Sequence, residues 1–147
     1  MRKHLLPLSL LLLLAGCGGF QKHIGEILHP VQPVSKSISF VVNTDENYSS
    51  IVYNDAFARL HITVTKIRGN RRAIVWDTIY NPQKLQDYSF LKNIMSKKIV
   101  INNVLESKEN LEVLYTLTYY NKGNVLRLYN GTILTQGIQQ KKLYINV

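Results

Sequence analysis

Catalysis needs acids, bases or nucleophiles brought together, and this chain carries few of them. Its 147 residues hold one cysteine, Cys17, four histidines and nine carboxylates. A single thiol excludes a disulfide framework, a cysteine-based zinc site and dithiol redox chemistry. His23 and His29 fall in a stretch containing Gly and Pro, where no fixed geometry is expected. His61 lies between Arg59 and Thr63 on the polar side of an alternating segment and reads as a solvated sheet residue. There is no His-x-x-x-His pair, no Gly-x-Ser-x-Gly elbow and no Gly-rich phosphate loop. Glu106, Glu109 and Glu112 recur every third residue, which fits the polar face of a strand start rather than a carboxylate dyad. The expectation is a non-enzyme with no catalytic residue, no metal site and no cofactor.

The one thiol has a different chemistry available. Met1-Arg2-Lys3-His4 is a short positive segment, and Leu5 to Leu14 is an almost purely apolar run rich in leucine. That run is shorter than the ~20 residues needed to cross a bilayer core, so it reads as a secretory signal. It ends in Leu14-Ala15-Gly16-Cys17, which resembles the lipobox of bacterial lipoproteins; a plain signal peptide that happens to contain a cysteine is the alternative. The resemblance implies cleavage between Gly16 and Cys17 and a diacylglycerol on the Cys17 sulfur. Residues 1–16 are then the signal peptide, and 131 residues remain. More than one acyl chain gives stable anchoring, each buried methylene contributing about 0.8 kcal/mol. By the sorting rules of such lipoproteins, Gly18 in place of Asp implies the outer membrane. The lack of acids in Gly18-Gly19-Phe20-Gln21-Lys22-His23 implies the periplasmic face.

Losing Arg2 and Lys3 lowers the formal net charge from +9 to +7. Export makes nucleic acid an unlikely complement for that charge, so none is expected as a partner. Anionic lipid, peptidoglycan carboxylates or an acidic protein face suit it better.

Residues 17–36 read as the lipidated cysteine and a flexible tether, with Pro30 and Pro33 favouring extended backbone. From Ser37 to Val147 the dominant period is two. Ile38, Phe40 and Val42 alternate with smaller or polar neighbours, and Leu60, Ile62 and Val64 do so most cleanly. Arg68-Gly69-Asn70-Arg71 and Asn121-Lys122-Gly123-Asn124 supply the turns of two hairpins. Leu111 to Tyr119 is a long strand, and Leu143, Ile145 and Val147 close the chain. Asn81, Pro82 and the spacing of Leu85, Tyr88, Leu91 and Met95 predict a short helix or helical loop ending near Lys97-Lys98. The fold class is therefore all-β: an antiparallel β-sandwich of about seven strands, transthyretin- or Ig-like, with one short helical insertion.

Candidate contacts follow from exposure. Arg68, Arg71 and Arg72, with Lys66, gather at one hairpin tip and could dock on an acidic surface, a solvated turn being the alternative. Tyr120, Tyr129 and Tyr144 are expected to point outward as interface tyrosines, whereas Tyr115 and Tyr119 are expected in the core. Asp77-Thr78-Ile79 resembles the Asp-Ser/Thr-aliphatic O-glycosylation motif of Bacteroidetes envelope proteins, which would place a glycan on Thr78.

A short, lipidated, basic β-sandwich with an insertion at Pro82 to Met95 resembles the lipoproteins of type VI secretion membrane complexes, of the TssJ kind or TssQ of the Bacteroidetes. The specific match is Leu14 to Cys17. The resemblance implies a lipid-anchored scaffold that docks on the periplasmic domain of an inner-membrane protein. A periplasmic glycan- or lipid-binding module is the other expectation, and it would need a concave site lined by tyrosine or Trp76.

Overall fold

A computed structural model describes residues 31–44, 46–87 and 93–147, with backbone only at 93 and 94. Gly16, Cys17 and the whole signal segment lie outside the described residues. The chain is mostly strand: β1 (Val34–Asn43), β2 (Ala56–Arg68), β3 (Arg71–Ile79), β4 (Gln83–Lys84), β5 (Asn93–Val104), β6 (Asn110–Asn121), β7 (Asn124–Leu134) and β8 (Gln140–Asn146). They form two sheets, a narrow one in the order β5-β1-β8 and a wide one in the order β3-β2-β6-β7, with β4 added against the start of β2. All pairings are antiparallel except β1 with β8, which run parallel because the last strand returns to the narrow sheet beside the first.

The alternation read in the sequence sets which residues meet. Ile38, Phe40 and Val42 of β1 are buried against Leu60, Ile62 and Val64 of β2, Leu111, Val113 and Leu117 of β6, and Ile145 of β8. Burying each such side chain contributes about 1.5–3 kcal/mol. Phe40 also stacks on Trp76 of β3 across the sandwich, ring centres 5.5 Å apart. Both hairpins form where expected. Asn121 and Asn124 flank a two-residue turn in which Lys122 and Gly123 both take positive φ, the geometry of a type I′ turn.

Three expectations change. The helix over Asn81 to Lys98 shrinks, within the described residues, to a single 3-10 turn at Leu85–Asp87, while Met95, Lys97 and Lys98 run in β5. Pairing with β1 across Met95↔Val42, Lys97↔Phe40 and Lys98↔Ser39 overrides the helical spacing, which was local only. The tether gives way to strand earlier than Ser37, since β1 begins at Val34. Tyr115 and Tyr119 are half-buried and pack against the core from its margin.

Lys36 is the surprise inside β1. It occupies an inward position of the same alternation as Ile38 and is fully buried. Its Nζ donates to the Thr135 carbonyl at 2.7 Å and lies 3.3 Å from Glu106 Oε1. The same Glu106 oxygen accepts the Gly137 N–H at 2.8 Å. One lysine thus ties the first strand to the loop before β6 and the loop before β8. Removing only the carboxylate should cost more than replacing the lysine by an apolar chain, because the first leaves a buried charge with one neutral partner. Glu106→Ala is expected to lower unfolding free energy by about 2–3 kcal/mol and Lys36→Met by about 1 kcal/mol or less. Urea denaturation of the two variants checks the order.

Candidate interaction surface

The polar residues singled out by their types are mostly engaged with one another. In β2 the outward residues His61 and Thr63 sit beside Asp77 of β3, paired through Thr63↔Asp77. His61 Nε2 lies 2.7 Å from Asp77 Oδ1, and the Thr63 hydroxyl donates to that same oxygen at 2.7 Å. The Thr63 hydrogen bond, then the bond and charge of His61, hold the Asp77 carboxyl below the ordinary aspartate range, with desolvation opposing. His61 is therefore one partner in a surface cluster rather than a lone solvated residue. Among the described residues no group of three or more His, Cys, Asp or Glu could hold a metal.

The glutamates are not a solvated face either. Glu109 is buried, accepts the Leu105 N–H at 2.9 Å and lies 3.4 Å from Lys66 Nζ. Lys66 also donates to the Asn103 carbonyl at 2.7 Å, and Arg72 is ion-paired with Glu112. The basic tip is thus divided. Lys66 and Arg72 are used to hold the hairpin to neighbouring elements, whereas Arg68 and Arg71 face each other across the turn and are exposed.

The candidate tyrosines do not form one patch. Tyr129, 73% exposed, is on the outer face of the wide sheet, and Tyr144, 60% exposed, is on the outer face of the narrow one. Tyr120 is half-buried, with the Arg59 guanidinium 5.5 Å from its ring centre. Lys142 similarly lies over Tyr144 at 4.9 Å. Thr78 shares the inner face with Ile62, is half-buried, and donates its hydroxyl to the Asp77 carbonyl at 2.8 Å. That is a less open acceptor position than a turn would offer.

Sequence reasoning missed an exposed apolar feature along β7. The register pairs Leu126 with Tyr119 and Leu128 with Leu117, so both leucines point to the inner side of the wide sheet. Yet Leu126 is 59% and Leu128 is 49% exposed. Val125, Tyr129 and Ile133 are exposed on the outer side of the same strand. The available signal was a strand apolar at both parities, Val125-Leu126 and Leu128-Tyr129, which a one-sided strand does not need. At one end of β7 a cleft of about 350 Å³ is lined by Tyr48, Tyr53, Tyr119, Tyr120, Val125 and Leu126, among others. Trp76, by contrast, is occupied by its stack on Phe40.

The Asp77 cluster gives a test of its own geometry. A carboxyl held below its ordinary pKa stabilises the fold above the unfolded value and loses that contribution as pH falls through the folded one. Thr63→Val removes the largest cause, so the Asp77 pKa is expected to rise toward the ordinary aspartate range. An NMR pH titration of the side-chain carboxyl carbon reads it directly, and an unchanged midpoint would refute the assignment.

No protein-family model matches the chain, and comparison with curated proteins and solved structures yields no significant match.

Proposed function

We propose that the chain is a lipid-anchored lipoprotein on the periplasmic face of the outer membrane, acting as a non-enzymatic anchor or scaffold subunit of an envelope-spanning complex. A type VI secretion membrane complex is the assembly proposed, on the resemblance of the lipobox, size and insertion. Leu14-Ala15-Gly16-Cys17 after an apolar leader is the observation that carries this reading. Acylation of Cys17 supplies the membrane attachment. A sandwich with exposed apolar residues along one edge and an exposed Arg68–Arg71 tip supplies surface for protein contacts. The proposed partner is the periplasmic domain of an inner-membrane protein, with acidic residues opposite the tip.

The cleft beside β7 favours a second reading, a glycan- or lipid-binding module. Four tyrosines line it, and its volume is at the lower end of small-molecule sites. Trp76 takes no part.

Two measurements separate these readings. Mass spectrometry of the native protein is expected to find an acylated Cys17 as the first residue, and Cys17→Ser is expected to move the protein from the detergent-requiring to the soluble fraction. An unacylated amino terminus would end the anchoring proposal. Crosslinking in intact membranes is expected to recover an inner-membrane protein, with Arg68→Glu/Arg71→Glu weakening recovery several-fold. Recovery of no inner-membrane protein, together with calorimetric binding of muropeptides or lipid, would favour the module.

A further inference from the structure

Each sheet edge exposes backbone donors and acceptors to solvent, and edges are usually protected by charge, bulges or brevity. Three of the four outer strands fit this. β5 carries Lys97 and Lys98 and a register shift against β1, β8 carries Lys141 and Lys142, and β3 carries Arg71, Arg72 and Asp77. β7 does not fit. It is eleven residues long, keeps an unbroken register with β6, and has Arg127 as its one charge.

The hairpin turn fixes which backbone groups of β7 point outward. Asn121 and Asn124 flank a two-residue turn and so form a hydrogen-bonded pair. Alternation along the ladder then bonds the even-numbered residues Asn124 to Leu134 to β6. The odd-numbered residues Val125, Arg127, Tyr129, Gly131 and Ile133 direct N–H and C=O to the open edge. The Gly131 N–H bears this out, since it bonds to the Asn130 side chain at 2.7 Å rather than into the ladder.

We propose that β7 pairs antiparallel with β7 of a second copy of this chain, about a two-fold axis at Tyr129, joining the two wide sheets into one. Tyr129 is the midpoint of Asn124–Leu134, and it is an odd-numbered position. Full overlap of the two strands therefore brings outward-pointing donors and acceptors face to face, with the Gly131 N–H already donated to the Asn130 side chain. The residues placed opposite each other are compatible. Val125 meets Ile133, Tyr129 meets its own copy, and Arg127 meets Gly131, which has no side chain of its own and over which Leu114 packs. Arg127 is then diagonal to the partner ring at position 129, within reach of a cation–π contact. On the inner side Leu128 is diagonal to its copy, which covers apolar surface that the narrow sheet leaves bare. Centring the axis two residues earlier would set Arg127 against Arg127. Full overlap together with charge therefore favours the Tyr129 register. Each of the other three edge strands carries at least two charged side chains, against one in β7. This inference does not rest on acylation of Cys17.

Sedimentation of the full-length chain, solubilised in a mild detergent, tests it together with hydrogen exchange. The wild-type chain is expected to sediment at twice the protomer mass at tens of micromolar. Amides of Val125, Arg127, Tyr129 and Ile133 should be protected, and these should lose protection on dilution while their even-numbered neighbours keep it. Tyr129→Lys, a change at an exposed side chain that sets two charges on the axis, should give a folded monomer with at least a tenfold weaker association. Tyr144→Lys, at an equally open tyrosine on the other sheet, should leave the dimer intact. A monomeric wild type overturns the proposal. So does a dimer that survives Tyr129→Lys, or one in which the odd-numbered amides of β7 stay unprotected.

Discussion

The two layers of the sandwich differ in width, and most of what is distinctive here follows from that. β1 is the central strand of a three-stranded sheet and brings Ile38, Phe40 and Val42 down onto β2, β6 and the Trp76 ring of β3. A layer of three strands cannot shield four. Leu134, at the end of β7, is fully buried, but Leu126 and Leu128, facing the same side, are left half open. Exposure of these leucines is a consequence of strand count rather than of local sequence, and it marks β7 as the side on which the domain is unfinished.

Three of the nine carboxylates hold neighbouring elements of the fold together. Glu106 holds Lys36 and the Gly137 amide, Glu109 holds the Leu105 amide and Lys66, and Glu112 holds Arg72. These three acids recur at a spacing of three, which reads in the sequence as a polar face. Instead each closes a different gap between loops and strands. Each of these carboxylates already accepts backbone or cationic donors and so is engaged in holding the fold. The burial of Lys36 belongs to the same logic. Its position is dictated by strand parity, and its charge is tolerated because Thr135 and Glu106 converge on it.

Much of the architecture was legible because period-two alternation and turn residues are local signals. Leu60-Ile62-Val64, the Gly69 turn and the Lys122-Gly123 turn all appear where their residue types put them. The helical spacing of Leu85 and Met95 is a local signal only: Leu85 lies in a 3-10 turn, residues 88–92 lie outside the described residues, and Met95 has a strand partner, Val42, more than fifty residues away. Pairing across that distance leaves no trace in a local window. The parallel return of β8 beside β1 was hidden for the same reason. Of the surface, Tyr129 and Tyr144 were read as outward from parity alone. The division of the basic tip was not, because the partners of Lys66 and Arg72 come from β6 and the loop before it. The β7 edge escaped notice because judging an edge requires knowing which strands have neighbours.

The anchoring proposal and the pairing of β7 reinforce each other physically. A lone edge-to-edge contact is small and must offset the lost freedom of two bodies, so in dilute solution it is expected to be weak. Confinement to one membrane face removes part of that cost, because two tethered copies already share a plane and meet at high effective concentration. On the anchoring proposal, pairing would in turn double the number of lipid anchors per particle and strengthen attachment without any new protein–lipid contact. The same symmetry presents two Arg68–Arg71 tips from one continuous sheet. A partner with repeated acidic sites would then bind both together, and its affinity would depend on the integrity of β7 even though it never touched that strand.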